Sequence, residues 1–155
     1  MVEVSSPQSS TRKSGAVAIG VGGFAAGTLD LLRACIRFGW DIPLAIAAGL
    51  LGKKAFAGGA GTYVLGVFLH YFIACSAATL YYAASRRLTF LRDNPIVCGL
   101  FFGIAIFLVM NLVVLPLSAY HTSAPLQLAS IRNGILIHML FIGLPIALSV
   151  RRYSR

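Results

Sequence analysis

Four unbroken apolar runs divide the chain: Gly15 to Phe38, Gly61 to Ser85, Ile96 to Leu117 and Asn133 to Val150. At 1.5 Å per residue, each crosses a hydrocarbon core of roughly 30 Å. The last is the shortest and leaves little room for tilt. The runs are continuous and do not alternate, which argues against a barrel wall. The expected fold is all-α and integral to the membrane, a four-transmembrane-helix bundle over residues 15–152. Residues 1–14, rich in serine with Pro7 and Gln8, read as a disordered tail.

The connector between the first two runs has a pattern of its own. Asp41 followed by Pro43 marks a helix start. Leu44, Ala47, Ala48, Leu51 and Ala55 then recur on one helical face, with Lys53 off it. A short extra helix at the outer interface is predicted. Gly58 to Gly61 would let the chain turn back into the membrane.

Composition supports this reading. The hydrophobic set makes up 58% of the chain and charged residues only 11%, against roughly a quarter charged in soluble domains. Four spans and their connectors use up the length, so no soluble catalytic domain fits. No H-E-x-x-H, G-x-S-x-G or P-loop occurs, and a non-enzyme is expected. Arg12 and Lys13 precede a first run that is long, holds Asp30 and Arg33 and lacks a cleavage site, so it is expected to be an uncleaved anchor.

Eight of the 13 basic residues (Arg12, Lys13, Arg86, Arg87, Arg92, Arg151, Arg152 and Arg155) fall on the side of the chain ends. The positive-inside rule then makes both termini cytoplasmic. The net charge of +9 is explained by anionic lipid headgroups, with no nucleic-acid partner. Cys35, Cys75 and Cys98 fall at different depths and read as small hydrophobes, not as metal or disulfide partners. His121, in the outer loop, reads as solvated.

Polar residues inside apolar spans are candidates for function. Asp30 and Arg33 lie in the first span, His70 in the second, Asn111 in the third and His138 in the fourth. Each sits outward of its span's midpoint by roughly 5 to 10 Å at 1.5 Å per residue. Helix packing is expected at two G-x-x-x-G pairs, Gly23 with Gly27 and Gly99 with Gly103. Gly20, Gly23, Gly27, Asp30 and Ala34 share one helical stripe. Gly66 with His70 and Gly134 with His138 repeat a G-x-x-x-H, so the two halves of the chain echo each other as parallel hairpins. Abundant glycine makes chance the alternative to duplication.

Each polar residue also has a purely structural reading. Asp30 and Arg33 would form a self-neutralised pair, and the histidines and Asn111 would bond across helix contacts. Three functional readings stay open. The cluster is a proton-responsive or ion-conducting site. Alternatively, His70 and His138 are axial ligands of a b-type haem; otherwise no cofactor or metal is expected. In the third reading the chain is an accessory or scaffold subunit, as a homo-oligomer or within a larger membrane complex.

The run Gly22 to Asp30, the Leu69-His70 and Ile137-His138 positions and the Asn111 to Pro116 segment resemble a group of uncharacterised bacterial inner-membrane proteins with four spans. More distantly the chain is similar to the YagU-like inner-membrane proteins, which are associated with acid resistance. The resemblance implies a bacterial inner-membrane protein with an acid-stress link and carries over no catalytic or binding residue.

Overall fold

The computed structural model describes residues 7–120 and 128–154. Among these residues the fold is all-α, with four helices long and apolar enough to cross a membrane: Ser14–Phe38, Gly59–Arg87, Pro95–Leu117 and Ser130–Tyr153. The first lies within α1 (Pro7–Phe38), and α2 (Ile42–Leu51) follows it. The second is α3 (Gly59–Arg87), followed by the short α4 (Phe90–Asp93). The third joins α5 (Pro95–Val109) to α6 (Leu115–Leu117), and the fourth joins α7 (Leu128–Ile137) to α8 (Leu144–Tyr153).

Helix α1 begins at Pro7, so the stretch expected to be a disordered tail is helical from that residue on. Proline suits a first helical turn because its missing N–H would have had no partner there. The rest of that stretch, and His121, lie outside the described residues.

In lipid, helices are held together by close packing and hydrogen bonds, so small residues decide who meets whom. Helix α1 carries two such faces and sits between α3 and the fourth span. One face holds Gly23 and Gly27. A Cβ on Gly23 would lie 2.8 Å from the Cys75 Cα, and one on Gly27 2.9 Å from the Tyr71 ring. The other face holds Ala18, Gly22 and Ala26, packed with Ile142, Ile146, Ala147 and Val150. There the Ser149 hydroxyl donates to the Ala18 carbonyl at 2.8 Å. Gly20, expected on the packing stripe, has open space around its Cα instead.

The third and fourth spans meet through glycine as well. A Cβ on Gly99 would lie 2.9 Å from the Ala147 Cβ, and Gly103 abuts the backbone of His138 and Met139. Gly143 answers from the fourth span, against Gly99 and Gly103. Counted from the two histidines, the pairs are equivalent. Gly23 meets Cys75, five residues after His70, as Gly99 meets Gly143, five after His138. Gly27 meets Tyr71, one after His70, as Gly103 meets Met139, one after His138.

The likeness stops within the hairpins. The first span packs against the fourth from the wide turn at His138–Gly143 through α8, whereas the second and third meet mainly at the end holding the termini, where the Tyr81 ring lies edge-on to Phe102 at 4.9 Å. At the opposite end α2 fills the gap. Its Pro43 carbonyl presses on Gly66, and its Gly49 carbonyl accepts from the Ala119 N–H at 2.8 Å. Pro43, Ala47, Ala48 and Ala55 are buried, but Leu51, expected on the same face, is exposed. The helix ends at Gly52 and the second span starts at Gly59, both with positive φ (66° and 64°), a conformation glycine adopts without steric cost.

Two wide π-helical turns interrupt the spans, Met110–Val114 in the third and His138–Gly143 in the fourth. Each ends two residues before a proline, Pro116 or Pro145. Proline lacks the N–H that its preceding turn needs and crowds the carbonyl behind it, and a wide turn relieves both. Pro145 is thus accommodated well inside the fourth span.

Candidate functional site

The bare Cα of Gly27 brings α1 and α3 close enough for a side chain to reach across. His70 Nε2 lies 2.9 Å from the Gly27 carbonyl oxygen. A carbonyl only accepts, so that nitrogen carries the proton. One turn further along α1, Asp30 Oδ2 lies 4.0 Å from the same nitrogen. Both side chains are largely covered, His70 14% exposed and Asp30 19%. Asp30 and Arg33 do not come within ion-pair distance, so the self-neutralised pair does not form. The nearest polar partner comes from the neighbouring helix.

Asp30 also borders a cavity of about 230 Å³ between α1 and the start of the fourth span. Helix α1 contributes Asp30, Arg33 and Arg37; the fourth span contributes Ser130, Asn133 and His138. Ala34, Phe38, Gly134 and Ile137 complete the lining. Residues three, four and seven apart share a helical face, which is why Asp30, Arg33 and Arg37 line up. Arg37 is an addition to the residues expected from sequence, although its spacing from Asp30 was legible. Ser130 and Asn133 carried no signal beyond their place near a helix start.

The other two polar residues of the spans play a different part. The His138 Nδ1–H donates to the Gly134 carbonyl of its own helix at 2.9 Å, and the ring stands edge-on to Phe107 at 5.4 Å. The Asn111 amide nitrogen donates to the Phe107 carbonyl, also its own, at 2.8 Å. Both residues lie at or near the start of a π-helical turn. There backbone pairing shifts from i+4 to i+5 and can leave a carbonyl short of a donor. These side chains bond within a helix, not between helices as expected. His138 still borders the cavity, whereas Asn111 does not line it.

The structure thus brings Asp30, Arg33 and His138 to one cavity, adds His70 behind Asp30, and leaves Asn111 apart. Each histidine donates one ring N–H to a backbone carbonyl, His70 through Nε2 and His138 through Nδ1. Among the described residues no group of three or more His, Cys, Asp or Glu could hold a metal ion. The three cysteines are free. Compared with protein-family models, curated proteins and solved structures, the chain gives no match.

Proposed function

We propose that the chain is a non-enzymatic bacterial inner-membrane protein that responds to or conducts protons or small ions, in the context of acid stress. One observation carries this reading: the His70–Asp30 contact at 4.0 Å, between two spans, at the edge of a cavity that Arg33, Asn133 and His138 also border. Histidine side chains change charge between about pH 5 and 8. A proton gained by His70 would turn a weak polar contact with Asp30 into an ion pair, strengthened by the low dielectric around it. By the basic-residue distribution the termini are cytoplasmic and the cavity faces outward, where external acid would reach it. The similarity to YagU-like proteins agrees with this direction.

The test is proton entry into liposomes carrying the purified protein and a pH-sensitive dye inside, after an external acid step. The wild type is expected to acidify faster than protein-free liposomes. Asp30→Asn and His70→Gln are expected to lose most of that excess while still inserting and folding. Wild-type rates in both variants, or no excess in the wild type, would remove this reading. The accessory-subunit reading would then stand, supported by the glycine-lined helix contacts.

A further inference from the structure

The cavity beside Asp30 is unbalanced in charge. Arg33 and Arg37 bring two guanidiniums to it against a single carboxylate, and that carboxylate has His70 as its nearest partner. Arg33 makes no hydrogen bond or ion pair with any described residue. Arg37 has only a ring contact, 5.2 Å over Phe38. A guanidinium stays charged at any physiological pH and presents five donors in a planar fork. Arg33 is half-buried and Arg37 exposed, and a half-buried guanidinium without a counter-ion is unfavourable. The opposite wall supplies further donors from the Ser130 hydroxyl and the Asn133 amide. Both lie within the first two turns of α7, the positive end of its dipole.

We propose that this cavity binds a small anion, with the Arg33 guanidinium as its main ligand and Arg37 as a second. The proposal rests on the ion-pathway reading above and names the ion's class. At a share of about 30 Å³ per water molecule, a cavity of about 230 Å³ holds a hydrated halide, a one- or two-carbon carboxylate or a phosphate. It is too small for a nucleotide. Asp30 works against an anion, and the two guanidiniums outnumber it. The same chemistry suits a free anion or the phosphate of an outer-leaflet headgroup.

Thermal unfolding of the full chain in phospholipid-free detergent separates these cases. Chloride, formate and phosphate, each as the sodium salt, replace sodium gluconate at constant ionic strength, because screening alone changes with salt. At least one of them is expected to raise the melting temperature of the wild type. Arg33→Gln is expected to lose that shift, and in gluconate to melt at or above the wild type, since it removes an uncompensated charge. Arg33→Lys keeps a reduced shift, which covers the case in which Arg33→Gln fails to fold. A shift with added phosphatidylglycerol but with none of the free anions supports the site and assigns a headgroup phosphate as its ligand. No shift with any of them, or an undiminished shift in Arg33→Gln, overturns the proposal. A protein that still admits protons through Asp30 and His70 but ignores every anion would leave the earlier reading standing and remove only this one.

Discussion

Replacing Gly103 by alanine tests the packing on which the site depends. The added Cβ would sit 2.5 Å from the Met139 Cα and against the His138 carbonyl. Carbon atoms rest at about 3.5–4.0 Å, so the third and fourth spans would have to part by about 1 Å or more. The obstructing atoms are backbone and cannot rotate away. Overpacking costs ~1–3 kcal/mol, and this position belongs at the upper end. Alanine returns about 1 kcal/mol of helix propensity, leaving a net loss of about 2 kcal/mol. Gly20→Ala is the control. Its Cβ would meet nothing within 4 Å, so the propensity gain of about 1 kcal/mol stands alone. The two variants should differ by ~3 kcal/mol, more than a hundredfold in the folding equilibrium at 1.4 kcal/mol per decade. Reversible unfolding in mixed micelles, followed by circular dichroism against the mole fraction of dodecyl sulfate, measures the difference. Equal midpoints for Gly103→Ala and Gly20→Ala would refute the assigned helix contact.

Two further outcomes are expected. Pro145→Ala restores a backbone donor and removes the reason for the wide turn at His138–Gly143. The same unfolding assay should show no loss of stability, while proton entry falls because His138 turns away from the cavity; a loss above ~1 kcal/mol would show that Pro145 matters for packing instead. In a chain whose three cysteines are replaced by alanine, Lys53→Cys should react with an impermeant maleimide added to intact cells, and Arg87→Cys should not. The reverse pattern would invert the orientation.

The four spans were legible in the sequence because lipid tolerates only helices and closed barrels, and continuous apolar runs without alternation fit the helix. The extra helix after Asp41 was legible from Pro43 and the alanine spacing, and the glycine pairs from the abundance of small residues at helical intervals. What the sequence does not contain is which face of a helix meets which neighbour. In lipid every apolar face is acceptable, so burial supplies no pattern to read. The second packing face of α1, at Ala18, Gly22 and Ala26, therefore came only from the fold. So did the partner of Asp30. Arg33, His70 and His138 were all open as partners from the sequence, and the close approach at Gly27 brings His70 to the carboxylate. Asn111 and His138 looked like bridges between helices. The tertiary structure turns them onto carbonyls of their own helices, Phe107 and Gly134, at the wide turns that precede Pro116 and Pro145. Where a helix widens by one residue in this way depends on how the spans fit together, and no one-dimensional pattern records it.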